Sequence, residues 1–168
     1  MTDADFVANL SNHATGPHLA ALRRYAALPA NVLLRLAVCA EAEGEADPGP
    51  EAVAWVLGVN RPMHPWWWGN SSLECILWPA QISSLWTDWS VRRAAIEAEI
   101  TTPTWRLARA VERCLDAAAV GQLGADPTGG ATYYWAPAAC HPSWEPRVSI
   151  TRKIGHHIFA VDESEVYR

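Results

Sequence analysis

The chain has 168 residues, half of them hydrophobic and 18% charged, so it is long enough to bury one core and too apolar to stay disordered. A formal net charge of −5 argues against a nucleic-acid binder that works by bulk electrostatic attraction. The sequence opens with Asp3 and Asp5 rather than a basic segment and an apolar stretch, and no apolar run reaches ~18 residues. Neither an export signal nor stable membrane insertion is therefore expected, and synthesis in the cytoplasm is.

In chain order, residues 1–15 are polar and are expected to be a flexible N-terminus of a single domain spanning 1–168. His18–Leu28 has helical apolar spacing, and Pro29 breaks it. A second helix follows with Asn31 as the expected N-cap. In it Leu34, Ala37, Val38 and Glu41 fall at i, i+3, i+4 and i+7, which sets a carboxylate on the apolar stripe. Gly44 and the Asp47–Pro50 turn end that helix, and Glu51–Asn60 reads as a third, largely buried one. Arg61–Ser72 reads as an aromatic, Pro-punctuated loop holding Trp66, Trp67 and Trp68. A short helix or extended segment with a break at Pro79 comes next. Helices over Trp86–Ile100 and Thr102–Gln122 follow, the latter capped by Thr102 or Thr104 and burying Trp105, Ala108, Val111 and Leu115. A short extended segment after Gly129-Gly130 and a β-rich stretch over Arg147–Val161 complete the chain. The fold class expected is α+β, mostly helical with a small β-sheet in the last third.

Glu41 is the sharpest chemical feature. A carboxyl on an apolar helix face is desolvated, and desolvation raises its pKa. If the helix continues, Glu45 lies four residues on along the same face, and its like charge raises that pKa further. An acid kept protonated near neutral pH suits glycosidic cleavage, where it protonates the leaving oxygen and then serves as base. The plainer reading is that these glutamates solvate a helix C-terminus. The three consecutive Trp either stack on sugar rings or anchor the loop, and they cannot all face one way. Cys39, Cys75, Cys114 and Cys140 form no CxxC pair and read as buried free thiols. Cys140, His141, His156 and His157 fit no usual zinc spacing, so no metal is expected.

The stretch EAEGEADPGPEAVAWVLGVNR, from Glu41 to Arg61, resembles the E-A-x-G-E…A-V-A-x-V-(I/L)-x-N-R signature of the cell wall hydrolase family typified by the spore-cortex-lytic enzymes. WPAQISSLW around Gln81, DPTGGATYYWAP around Tyr133 and Tyr134, and IGHHIFAV around His157 resemble its later blocks in the same order, with Trp144 between the last two. The interval from Gly49 to Asn60 is one residue longer than the family pattern, and the PMHPWWWGNSS insert is unusually aromatic.

The resemblance implies a lysozyme-like catalytic domain that cuts peptidoglycan glycan strands between N-acetylmuramic acid and N-acetylglucosamine. It implies Glu41 as the catalytic acid and Glu45, at the family's second Glu, as a further catalytic residue, with no cofactor. Gln81, Ser83, Asp126, Tyr133, Tyr134, Trp144, His157 and Trp67 are the expected substrate-binding residues, with Tyr134 favoured over Tyr133 because neighbours on a strand point to opposite faces. Asp126 before Pro127 reads first as a turn former. A lytic transglycosylase closing a 1,6-anhydro ring needs one carboxyl only. A muramidase using water needs a second, for which Glu45 and Asp126 are the candidates. A non-catalytic, Trp-rich glycan-binding or virion protein is the alternative of another kind. The expected setting is a monomeric phage endolysin that reaches the wall after release from the cytoplasm, with glycan strands as partner and no nucleic acid.

Overall fold

The computed structural model describes residues 2–79, 81–82, 85 and 91–166. The expected loose N-terminus is instead a short helix, α1 (Asp3–Asn9). The Thr2 hydroxyl accepts from the Asp5 amide while the Asp5 carboxylate accepts from the Thr2 amide at 3.0 Å, a reciprocal cap. The helix is held down by Phe6, which is buried and stacks on Trp78, and Leu10 beyond it is fully buried. Two apolar residues suffice to dock a segment whose composition looks solvated.

Helix α2 (Gly16–Ala26) buries Leu22 and Tyr25. The central element is α3 (Ala30–Ala42), whose N-cap is Pro29; Asn31 lies inside the first turn and makes no cap. Leu33 through Ala40 are all buried, so α3 is enclosed on every side rather than amphipathic. Its Arg35 is buried too, with Nη2 donating to the Glu99 carbonyl at 2.5 Å and Nε 3.3 Å from the Glu99 carboxylate.

Helix α4 (Gly49–Trp55) runs directly into a π turn (Val56–Asn60), closed by the Arg61 amide donating to the Val56 carbonyl, and then a 3₁₀ turn (Arg61–Met63). An i→i+5 turn holds one residue more than an α turn. The segment read as a loop after Arg61 contains a helical turn, α5 (Pro65–Trp68), ahead of α6 (Ser72–Leu77), which Ser71 caps through its hydroxyl. Helix α7 (Val91–Ala98) is tied to α2 by Arg93 and Glu97, both bonded to the Tyr25 hydroxyl.

Helix α8 (Trp105–Ala119) packs on α3 and α4. It buries Leu107, Ala110, Val111 and Cys114. Of the expected stripe, Val111 is buried and Ala108 and Leu115 are half-buried, but Trp105 sits ~200° round the helix from Leu107 and is 75% exposed. The sheet joins β1 (Tyr133–Trp135), β2 (Ser149–Ile154) and β3 (His157–Val161) in the order β1-β3-β2, all antiparallel. Gly155, at φ +57°, and His156 form the tight turn of the β2–β3 hairpin. Register sets Tyr134 opposite Phe159, so Tyr134, Phe159 and His157 share one face of the sheet. None of the helices among the described residues is long and apolar enough to cross a membrane.

Candidate active site

The three glutamates that interrupt the apolar pattern go to three different places. Helix α3 stops at Ala42, so Glu45 does not continue its face and adds no like charge to Glu41. Arg106 of α8 donates to the carbonyls of Glu43 and Glu45, satisfying acceptors that a helix end leaves open. Glu43 is exposed.

Glu41, in the last turn of α3, lines a cleft of about 230 Å³ with Arg61, Trp68, Gln81, Tyr133, Tyr134 and Trp144. It is the only carboxylate among the described residues of that lining. Burial raises its pKa above the ordinary carboxylate value, while a hydrogen bond from Tyr134 and the charges of Arg61 and Arg92 pull the other way. The Tyr134 hydroxyl donates to Glu41 Oε2 at 3.2 Å. Burial holds the Tyr134 phenol well above its usual pKa, so it stays protonated and available as a donor.

Arg61 ties the walls together. Its Nε donates to the Thr132 carbonyl at 2.8 Å and its Nη1 to Gln81 Oε1 at 3.0 Å, while the guanidinium lies 4.2 Å from the Trp68 ring centre and 5.4 Å from that of Tyr134. Tyr133 is wedged between Trp68 and Trp144, with ring centres 4.9 and 4.8 Å away. Both tyrosines border the cleft, although they are adjacent on one strand. β1 is an edge strand, so side chains from both of its faces can border a cleft that follows the edge.

Glu45 stands outside the cleft, beneath the hairpin. Its carboxylate accepts from the His156 amide and pairs with His156 Nδ1, both at 3.0 Å. Burial alone would raise its pKa, but these bonds and the two histidines outweigh it and hold Glu45 below the ordinary range. His157 is buried, its Nδ1 3.6 Å from Glu45 Oε1 and its ring edge-on to Tyr134 at 5.7 Å. Burial lowers the pKa of His157, which favours the neutral ring. Glu45 and His157 thus form a backing layer behind Tyr134 rather than a second acid facing Glu41.

Asp126 is likewise occupied. Its carboxylate accepts from the Thr128 and Gly130 amides at 2.8 and 2.7 Å and from Asn60 Nδ2 at 2.9 Å, so it shapes the turn before β1 and does not line the Glu41 cleft. Trp67 borders a neighbouring recess, and Trp68 takes the place in the cleft. Ser83 lies outside the described residues. A larger recess of about 740 Å³ between α1, α2 and α6 contains none of the residues singled out from the sequence. No three of the described His, Cys, Asp and Glu side chains converge as metal ligands.

Arg61 is not among the site residues expected from the sequence. Its position just beyond the apolar run Val53–Val59 and Asn60 is the available signal, because a cation there must find buried partners.

The family model for cell wall hydrolases matches residues 44–160. That span takes in Arg61, Gln81, both tyrosines and Trp144, and it begins just after Glu41. Among solved structures, the catalytic domain of the Bacillus cereus SleB protein matches with 28% identity and a TM-score of 0.60, over 79% of this chain and 89% of that one. The catalytic domain of the germination-specific lytic transglycosylase SleB from Bacillus anthracis matches with 25% identity and a TM-score of 0.56, over 80% and 98%. No curated protein matches significantly. With most of its length matched, and with the fold of those lysozyme-like catalytic domains, the chain belongs to the cell wall hydrolase family.

Proposed function

We propose that this protein cleaves the glycan strands of peptidoglycan as a lytic transglycosylase, with Glu41 as its one general acid and base. The carrying observation is a carboxylate of raised pKa, the one carboxylate among the described residues of an aromatic-walled cleft, hydrogen-bonded to a tyrosine. The resemblance to a SleB lytic transglycosylase domain points the same way.

In this reading Glu41 gives its proton to the oxygen joining N-acetylmuramic acid to N-acetylglucosamine. Tyr134 occupies Oε2 and leaves Oε1 to carry that proton. Once ionised, the carboxylate is supported by Tyr134 and by the charge of Arg61, and it removes the proton from the muramic C6 hydroxyl. The C6 oxygen attacks C1, and the bond to the departing sugar breaks as the 1,6-anhydro ring closes. The nucleophile is tethered to the electrophile, so most of the entropic cost of bringing it in is absent. A water-using muramidase would need a second carboxylate beside the first. Glu45 and Asp126 are both engaged elsewhere, which disfavours that reading.

Clearing of purified sacculi followed by mass spectrometry of the products tests this. Wild type is expected to release ends one water lighter than hydrolysed ends, and Glu41→Gln to lose at least ~10²-fold in rate. Hydrated reducing ends would remove the transglycosylase mechanism, and full activity in Glu41→Gln would remove Glu41.

A further inference from the structure

Another recess, of about 330 Å³, adjoins the Glu41 cleft across the chain at Ala131 and Thr132. Two consecutive side chains hold that divide in place. Asn60 Nδ2 donates to the Ala131 carbonyl at 2.9 Å and Arg61 Nε to the Thr132 carbonyl at 2.8 Å. Asn60 and Gly130 line the recess, whereas Arg61 and Tyr133 line the cleft. The three steps from Gly130 to Tyr133 can span no more than ~11 Å, so the two openings are close neighbours.

The walls of this recess differ from the aromatic walls of the cleft. Met63 and Leu123 supply apolar surface and are 57% and 48% exposed. Gly124, Gly129 and Gly130 leave another stretch of wall without side chains, so an extended chain can lie against it. Asp126 is the one carboxylate among its described lining residues, and its oxygens are spent on Asn60, Thr128 and Gly130. Arg152 is not spent. It is exposed, and the one hydrogen bond of its guanidinium among the described residues is from Nη1 to the Thr151 carbonyl at 2.9 Å. A guanidinium carries five N–H donors in a fork that matches a carboxylate, so most of its capacity faces no protein partner.

Apolar flanks, side-chain-free backbone and an uncommitted guanidinium match a short acidic peptide better than a sugar. We propose that this recess receives the peptide stem of the muramic acid bound at Glu41, with Arg152 taking a carboxylate of that stem. The inference rests on the glycan-cleaving reading for the strand itself. A lactyl group followed by two extended residues reaches ~10 Å, which matches the separation across the divide. The site therefore reads a carboxylate on the second residue of the stem, and Arg152 sets a preference for stems that keep it free.

Calorimetric titration of Glu41→Gln with three tetrasaccharides tests this. One is peptide-free, one carries L-alanyl-D-isoglutamate on its lactyl groups, and one carries L-alanyl-D-isoglutamine, in which an amide replaces the free carboxylate. The acid is expected to bind roughly three- to fivefold tighter than the amide at low salt, with the preference shrinking as salt is raised. Adding Arg152→Gln should abolish that preference and leave the peptide-free affinity unchanged, and Arg152→Lys should keep part of it. Equal affinity for acid and amide, a preference that survives Arg152→Gln, or no binding of any of the three overturns the proposal. A wild type inactive on sacculi with the preference intact would sink the enzymatic reading alone, and an active enzyme indifferent to the stem would sink the peptide site alone.

Discussion

At the scale of single residues, the chemistry turns on how Tyr134 and Glu41 set each other's protonation. Burial disfavours the ionised carboxylate, and the Tyr134 hydroxyl offsets part of that by donating to it. A reaction that needs the protonated acid falls off as pH rises through the Glu41 pKa, so the alkaline limb of kcat against pH follows that group in the complex. Tyr134→Phe removes a donor that favours the ionised form. The Glu41 pKa then moves further up, and the alkaline limb of sacculus clearing shifts to higher pH. The best rate falls on the order of tenfold, because the ionised carboxylate has lost support. An unmoved limb, or one displaced toward acid, would show that Tyr134 does not act on Glu41. The same pairing explains why Glu41 was legible from the sequence and Tyr134 only in part. Spacing along α3 puts Glu41 on a buried face, whereas the reach of Tyr134 depends on a strand 93 positions later in the chain.

At the scale of elements, the decisive feature is the junction of the α3 end with the β2–β3 hairpin. Glu45 accepts from the His156 amide in the hairpin turn, and the space for its carboxylate exists because residue 155 is glycine. A methyl group at Gly155 would fall onto Glu45 Oε2, at a backbone φ of +57° that side chains disfavour. Gly155→Ala is therefore expected to destabilise the protein by about 2 kcal/mol or more, lowering Tm by roughly 4–8 °C. It should also disturb His157 and, behind it, Tyr134, so clearing activity should fall even at temperatures where the variant stays folded. A Tm within 1–2 °C of wild type in a melting scan would mean the junction yields easily.

This junction also marks where sequence reasoning ran out. Periodicity located α3, and β-rich composition located the stretch that forms the hairpin. Glu45 would share the Glu41 face only if α3 ran on past Gly44, and α3 stops at Ala42, with Arg106, 61 residues from Glu45, bonded to the carbonyls beyond that end. Trp105 of α8 was misplaced for a related reason. An aromatic at the first position of a helix looks like a core residue, but the partner helices α3 and α4 meet the face that starts at Leu107. The short helix at Pro65–Trp68 hides behind its prolines and glycine, and only the packing around Arg61 reveals that Trp68 rather than Trp67 lines the cleft.

At the scale of the whole molecule, the four cysteines report how completely one core closes. Cys39, Cys75 and Cys114 come from α3, α6 and α8, and all are buried; the expectation of four buried thiols fails only at Cys140, which is exposed. Burial pushes the thiol of Cys39 up to about 11 and those of Cys75 and Cys114 up to about 12. Each of the three is thus shielded twice, by lack of access and by scarcity of thiolate, and both shields belong to the packed interior rather than to any one helix. Removing them requires α3 to part from its neighbours, which for a core continuous through α3, α4 and α8 amounts to global unfolding. In the native protein an aromatic disulfide reagent should therefore modify Cys140 alone within minutes. All four thiols should react in denaturant, and the slow native reaction of the other three should track the unfolding transition. Fast native labelling of Cys75 without Cys39 and Cys114 would instead place α6, and the aromatic recess beside it, in a separately opening unit.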